Sequence, residues 1–355
     1  MMNPVFILSA CAISPQLSFD VDKFLNPIIT TDDGKLFAAE PDYRQFINPV
    51  AIRRMSRQLK MGIACGMRAL QLADVSMPDS IITGTGLGSM TDMEHFLKDM
   101  ITLEEEALNP TFFIQSTYNS VNGWLALQTK STGYNQTYVH RGFSIELSLL
   151  DAQMFLNETP TSKIALVGSF DELTNDYFVV KSKCDYWKES VPNSLKLLSC
   201  NHTDGTIAGE GAAFFALTNK PKPLSCALLG LKLLNLPSSY DFTQEIQEFL
   251  SQHGVDLKDI DVAILGKNGD ARFEYLYDPV VAAFDVETNV LAFKHLTGEY
   301  PTASGFALWI AVQLRHWNQI PEPLILKSGT RPKRNILVIN HYILHTASLM
   351  LLHQQ

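Results

Sequence analysis

The sequence has 355 residues, of which 46% are hydrophobic and 18% charged, so it predicts a folded protein with ample length for a core and excludes intrinsic disorder. Its formal net charge of −9 has the wrong sign for a nucleic-acid surface, which needs clustered lysine and arginine. No apolar run is long enough to cross a membrane, so no membrane span is expected.

Cysteine usage indicates the compartment. The five cysteines have irregular spacings and form no Cys-x-x-Cys pair, which predicts free thiols in the reducing cytoplasm and neither metal nor cofactor. The apolar stretch of residues 5–8 is shorter than a secretory core of roughly 7 to 15 residues, so we interpret it as a first strand and not as part of a lipoprotein signal. The cysteines are Cys11, Cys65, Cys184, Cys200 and Cys226.

Strands and helices alternate along the first part of the chain. Residues 4–13 predict a strand, and residues 49–75 predict one amphipathic helix with apolar side chains at steps of three and four. Residues 80–90 predict a strand whose Thr-Gly-Thr-Gly-Leu-Gly end allows close approach of neighbouring backbone and does not match a nucleotide-binding loop. Residues 93–108 predict a further helix. Four basic residues of the first helix are expected on a solvated face: Arg53, Arg54, Arg57 and Lys60.

Residues 137–152 read as a strand, a sharp turn and a helix. Tyr138 and Val139 favour a strand, and Arg141 with Gly142 supplies a bend that a residue without a Cβ makes easily. This is the geometry of a nucleophile elbow, in which free backbone N–H groups at the start of a helix stabilise a thiolate or an oxyanion. The turn holds glycine, so the elbow lacks a nucleophile.

The segment that leads to the elbow resembles the β-ketoacyl synthases of the thiolase-like condensing-enzyme superfamily. It runs without gaps from Asn109 through Asn119, Gly123 and Gly133, and it places the family's catalytic cysteine at Gly142. Further motifs follow the family's order: Arg-Arg-Met-Ser-Arg at 53–57, Thr-Gly-Thr-Gly-Leu-Gly at 83–88, Val-Gly-Ser-Phe-Asp-Glu-Leu at 167–173, Ala-Gly-Glu-Gly-Ala at 208–212 and Lys-His-Leu-Thr-Gly-Glu-Tyr-Pro-Thr-Ala-Ser-Gly at 294–305.

The resemblance implies an α/β, thiolase-like fold. Two βαβαβαββ halves pack back to back in five layers, in the order α-β-α-β-α. The Asn-Lys-Pro-Lys-Pro sequence at 219–223 reads as the crossover linker. We therefore expect an N-terminal half at residues 1–220 and a C-terminal half at residues 221–355.

The resemblance also implies that the catalytic groups are missing. A condensing synthase needs a cysteine thiolate and two histidines that assist decarboxylation and stabilise the enolate. Gly142 stands at the thiol position, and a shift of one residue would place Phe143 there. The region of the first histidine, residues 266–270, offers Asn268 but no histidine, and the second histidine corresponds to Glu299.

Two other positions bear on the site. Lys294 is retained, and without a thiolate we expect it in a structural ion pair or a buried hydrogen bond. The family's flexible Gly-Phe-Gly-Gly gate corresponds to residues 340–349, whose bulky, branched side chains predict a less mobile segment.

Ser144 and His140 are the alternative catalytic pair, because a serine beside a histidine base can act as a nucleophile. The competing interpretation makes Ser144 a hydroxyl that binds free N–H groups at the start of a helix and His140 a strand residue that packs against a neighbouring subunit.

Loss of the nucleophile within a retained frame resembles chain-length-factor subunits of type II polyketide and aryl-polyene or flexirubin-type pathways. This implies a non-catalytic subunit that pairs with an active β-ketoacyl synthase, meets acyl carrier protein through the complex and shapes the acyl tunnel. The alternatives are an acyltransferase or hydrolase that uses Ser144, and a homodimeric acyl-binding scaffold. Tyr118 and Trp124 also fit ordinary core packing. The expected interface and tunnel residues are Thr117, Tyr118, Asn119, Trp124, His140 and Phe143.

Overall fold

The computed structural model describes residues 2–158, 160–191, 193–235, 242–343 and 346–355. The strands are β1 (Val5–Ile13), β2 (Lys35–Leu36), β3 (Ser80–Gly84), β4 (Tyr134–Tyr138), β5 (Ile164–Asp171), β6 (Ala208–Gly209), β7 (Gly211–Thr218), β8 (Cys226–Asn235), β9 (Val262–Leu265), β10 (Asn289–Ala292), β11 (Ile325–Lys327), β12 (Asn335–Tyr342) and β13 (Thr346–Gln354).

The helices alternate with these strands. They are α1 (Pro49–Ile52), α2 (Arg57–Leu72), α3 (Met90–Thr102), α4 (Pro110–Gln115), α5 (Ser120–Thr129), α6 (Ser144–Asn157), α7 (Asn175–Ser182), α8 (Phe242–Gln252), α9 (Glu274–Ala283), α10 (Lys294–Thr297) and α11 (Ser304–Gln313). Among the described residues, no helix combines the length and the apolar character that a membrane span needs.

The same strand order occurs twice in the main sheet. One half reads β4-β3-β5-β7-β1 and the other β10-β9-β12-β13-β8, with β11 added at the outer edge. Numbered within its own half, each is 3-2-4-5-1, and the fifth strand is antiparallel to its neighbours in both. The halves join where β1 pairs with β8, from Val5 opposite Leu228 to Ile7 opposite Cys226.

Helices complete five layers. Helix α11 packs against β1 and β7 of one half and against β9 and β12 of the other, so it lies in the central layer. Helix α6 lies there too, against β3, β5 and β8. Helix α2 covers the outer face of the first half, and α8 and α9 cover the outer face of the second. The predicted α-β-α-β-α order is therefore present. The predicted boundary at residues 220–221 falls between β7 and β8, and a division into two domains there stays a proposal.

The prediction of one helix over residues 49–75 was wrong. The chain forms α1, turns at residues 53–56 and starts again as α2. Arg57 is also not part of a solvated face, because it pairs with Glu40 and with the fully buried Glu210. The helix expected over residues 93–108 ends at Thr102, since Glu104 and Glu105 adopt left-handed backbone conformations with φ of 49° and 66°.

Candidate functional site

The elbow has the expected strand, turn and helix, but the structure gives a different reason for its glycine. Arg141 and not Gly142 adopts the left-handed conformation of the turn, with φ of 44°. A Cβ on Gly142 would lie 2.5 Å from Cβ and 2.9 Å from Cδ1 of Tyr342. Glycine is therefore required because Tyr342 fills the place of a nucleophilic side chain, and the prediction that Gly142 serves the bend was wrong.

Tyr342 is the last residue of β12 and is buried. It pairs with Thr346 at the start of β13, so the backbone that carries the ring belongs to the sheet. Burial raises the pKa of its hydroxyl well above the usual range, so the phenol is neutral at physiological pH. A neutral aromatic ring thus occupies the position where the resemblance to the β-ketoacyl synthases places a thiolate.

Ser144 is fully buried at the start of α6. Its Oγ lies 2.9 Å from the carbonyl oxygens of Thr85 and Arg141, and it accepts a hydrogen bond of 2.9 Å from the backbone N–H of His140. The bond between residues 140 and 144 therefore involves the amide and not the imidazole. The hydroxyl ties the strand end to the helix start, an arrangement that does not provide an activated nucleophile.

His140 and Phe143 lie on either side of the turn and stack on each other, with ring centroids 5.3 Å apart. Phe143 is buried and His140 is exposed. The pair fixes the outer surface of the elbow, next to the cavity described below.

Lys294 and Glu299 form a buried ion pair at the positions expected to be degenerate. Lys294 Nζ lies 2.8 Å from Glu299 Oε2 and donates to the carbonyl of His341 at 2.5 Å. Asn268 Nδ2 donates to the same carboxylate oxygen at 2.8 Å. Burial raises the pKa of Glu299 and lowers the pKa of Lys294, and the attraction between the two charges opposes both shifts.

In this cluster a carboxylate acceptor, Glu299, stands where the resemblance to the condensing enzymes places a histidine donor. The other end of the Asn268 amide accepts the N–H of Asp270 at 3.1 Å, so both ends of that side chain are engaged within the protein. Glu299 Oε1 is buried and has no hydrogen-bond partner in the described ranges. A negatively charged enolate would meet the Glu299 carboxylate here, while the donors Asn268 and Lys294 are already bonded to that carboxylate.

Asp171 holds two loops of the site in place. Its carboxylate accepts from Thr85 Oγ1 and the amides of Gly86 and Leu87, each at 2.9 Å, and from Thr302 Oγ1 at 2.8 Å. Burial raises its pKa to about 6, while these hydrogen bonds act in the opposite direction. Sequence reasoning missed this role, although the residue lies within the Val-Gly-Ser-Phe-Asp-Glu-Leu motif.

A cavity of about 450 Å³ opens beside the elbow. Tyr118, His140, Gly142 and Tyr342 line it. A neighbouring groove runs between residues 116–119 and the β4 edge. The structure thus brings Tyr118 and His140 together at the elbow, with Thr117 and Asn119 in the adjoining groove.

Two other predicted features, Trp124 and the gate segment, lie in other parts of the structure. Trp124 is half-buried and packs against the core around α2, away from the cavity. The predicted gate segment spans residues 340–349, of which residues 344–345 lie outside the described residues. The rest of that segment is largely paired in β12 and β13. In the described ranges, no group of three His, Cys, Asp or Glu side chains could hold a metal ion.

Comparison with solved structures identifies the fold. The ishigamide ketosynthase/chain length factor is 16% identical, with both chains covered over 100% of their length and a TM-score of 0.76. A ketosynthase in complex with its chain length factor from Xenorhabdus doucetiae is 15% identical, with 99% of this chain and 98% of that chain covered and a TM-score of 0.76. A type II polyketide acyl carrier protein in complex with its ketosynthase is 14% identical, fully covered in both chains, with a TM-score of 0.71.

No protein-family model and no curated protein sequence matches the chain. The likeness in structure covers the whole chain, and the predicted thiolase-like ketosynthase fold is confirmed. At identities of 14–16%, the likeness establishes the fold and leaves the activity to be argued from the site.

Proposed function

We propose that this chain is a non-catalytic, ketosynthase-like chain-length-factor subunit that pairs with an active β-ketoacyl synthase and shapes the tunnel for its acyl chain. The single observation that carries the proposal is the Tyr342 ring, which fills the nucleophile position at Gly142. Replacement of the family's catalytic cysteine by glycine, with no other change, would leave a vacant pocket. The pocket is instead filled by a packed ring, which supports a role for this fold other than catalysis.

The neighbouring groups support the same reading. Glu299 is neutralised by Lys294 and bonded by Asn268, so the three side chains satisfy one another inside the protein. Such a pair stabilises a buried frame only while both partners are present. The Ser144 hydroxyl is engaged by backbone groups, which argues against the acyltransferase or hydrolase alternative.

The surface beside the elbow supports pairing with another chain. In the described part of the sheet, β4 is an edge strand that pairs only with β3. Apolar side chains are exposed near it, among them Phe113, Ile114, Tyr118 and Val139. An unpaired strand edge beside exposed aromatic and branched residues is typical of a surface that another protein covers.

The class of partner follows from this surface and from the structural relatives. Two of the similar solved structures contain a ketosynthase with a chain length factor or with an acyl carrier protein. We infer the same partners for this chain: a cytoplasmic heterodimer with a β-ketoacyl synthase, which acyl carrier protein visits. The cavity lined by Tyr118 and Tyr342 opens at this surface and would form part of the tunnel wall. Polyketide, aryl-polyene and fatty-acid-like products are all compatible with this role.

Co-expression tests the pairing. The tagged chain is produced with each β-ketoacyl synthase of its host in turn, and the purified product is weighed by native mass spectrometry. A 1:1 heterodimer with one synthase is expected. A homodimer in every co-expression would contradict the proposal and favour the acyl-binding scaffold.

A further inference from the structure

A second cavity lies at the opposite end of the central helix α11. Its volume is about 320 Å³, at the small end of the roughly 300–1,000 Å³ range of ligand sites. The ten residues of α11 separate it from the elbow by roughly 15 Å, at 1.5 Å per residue. The cavity is therefore distinct from the site described above.

Arg315 provides a positive charge in this cavity. Its Nε donates to Nε2 of His316 at 3.0 Å, and its buried Nη1 has no hydrogen-bond partner in the described part of the chain. No ion pair to the guanidinium occurs there either, and burial lowers its pKa. The half-buried guanidinium is partly removed from water and has no ion pair among the described residues, so an anion in the cavity would stabilise its charge.

Gln313 adds a second polar group. It lines the cavity, is only 4% exposed and has no side-chain hydrogen bond within the described residues. An amide can donate to the same anion that the guanidinium binds, and a guanidinium can bind both oxygens of a carboxylate at once. Gln313 is the last residue of α11 and Arg315 lies in the turn that follows, and both residues line this cavity.

The other residues that line the cavity determine what can be attached to an anion bound there. Leu8, Leu72 and Val312 line the cavity, so an anion bound at Arg315 would place any attached carbon chain against apolar side chains. Asp22 also lines the cavity, but it is exposed to water and makes no described ion pair with Arg315. A fully hydrated inorganic anion would leave the apolar wall without a partner.

We propose that this cavity binds a small carboxylate with a short apolar chain, its carboxylate on Arg315 and Gln313 and its chain on Leu8, Leu72 and Val312. The inference is independent of the proposed pairing with a synthase, because it rests on the other end of α11 and on the isolated chain.

Calorimetric titration of the isolated full chain with hexanoate tests this site, with hexanol and acetate as the matched probes. Saturable binding of hexanoate is expected, with no saturable binding of hexanol and weaker binding of acetate. Arg315→Met should weaken hexanoate binding by about tenfold or more, because it removes the charge-assisted hydrogen bonds to the carboxylate. Arg53→Met, at an exposed arginine on the surface, should leave it unchanged.

Leu72→Glu tests the apolar wall without disturbing the core, because Leu72 is half exposed. It should weaken hexanoate binding, because it replaces an apolar contact of the carbon chain with a charge of the same sign as the carboxylate. The proposal is overturned if the wild-type chain shows no saturable binding, if Arg315→Met binds hexanoate as tightly as Arg53→Met, or if acetate binds as tightly as hexanoate.

Discussion

A single side chain explains the altered elbow. Gly142 needs no unusual backbone angle, yet any larger residue would collide with Cβ of Tyr342, an atom that is fixed by its place in β12. The glycine at this turn and the packed tyrosine therefore depend on each other. A cysteine introduced at position 142 would have no room for its side chain.

Gly142→Ala tests this account of the elbow. The added methyl overlaps Tyr342, so the free energy of unfolding should fall by about 1–3 kcal/mol, as in overpacked cores. Gly123→Ala is the control, because a Cβ on this exposed glycine of α5 meets nothing within 4 Å. That substitution should raise stability by about 0.5–1 kcal/mol through helix propensity. Equal effects in urea unfolding would refute the collision.

The buried pair of Lys294 and Glu299 makes a second prediction. Lys294→Met leaves a buried carboxylate without its partner and should cost about 3–5 kcal/mol of stability. Lys294→Met combined with Glu299→Gln removes both charges and keeps an acceptor for Asn268, so it should cost less than Lys294→Met alone. A double variant that is less stable than the single variant would show that the two charges are not coupled.

Glu172 makes stability depend on pH. Burial raises its pKa from 4.5 to about 7, against the hydrogen bonds it accepts from Thr91. Because the folded state holds this proton more tightly than the unfolded chain, the group's contribution to stability is complete below pH 4.5 and is lost as the pH rises to about 7.

Comparison with Glu172→Gln isolates that effect, since other titrating groups cancel in the difference. Between pH 4.5 and about 7, the wild type should lose stability relative to the variant, with a slope of at most about 1.4 kcal/mol per pH unit. A difference that stays constant over this interval, or that changes in the other direction, would contradict the raised pKa.

At the scale of elements, the sequence predicted the strand, turn and helix of the elbow better than the helices around it. The elbow was found because β-branched and aromatic residues give way to helical spacing within one short stretch. The glycine at the turn could be read directly from the sequence. The position of Tyr342 could not be predicted, because it lies 200 residues away from Gly142 and reaches it only through the order of the strands. The break between α1 and α2 was hidden by apolar residues that continue at helical spacing through it.

Strand β4 and helix α4 carry the prediction for the interface. Ile114→Glu places a charge on a side chain that is 65% exposed, beside the groove formed by residues 116–119 and β4. If a synthase covers this surface, the variant should pair at least about tenfold more weakly, a loss of about 1.4 kcal/mol. Val286→Glu is the control, because Val286 is 76% exposed and lies in the other half of the chain. Equal pairing by both variants in sedimentation would place the interface elsewhere.

At the scale of the whole molecule, the repeated 3-2-4-5-1 order accounts for most of the core. Each half contributes one part of the continuous main sheet, and the shared helices α6 and α11 fill the layer between the two parts. The alternation of strands and helices predicted this class of fold, and the motif order predicted its ketosynthase-like form. The strand order within each half required long-range pairing that residue patterns do not specify. Burial in the central layer does not depend on a thiolate.

The location of the acyl group tests the central claim most directly. The reconstituted complex of this chain with its synthase is incubated with acyl-loaded carrier protein, and the intact mass of each subunit is measured. We predict an acyl adduct on the synthase and an unchanged mass for this chain. An acyl adduct on this chain, lost in Ser144→Ala, would contradict the account and assign the chemistry to this elbow.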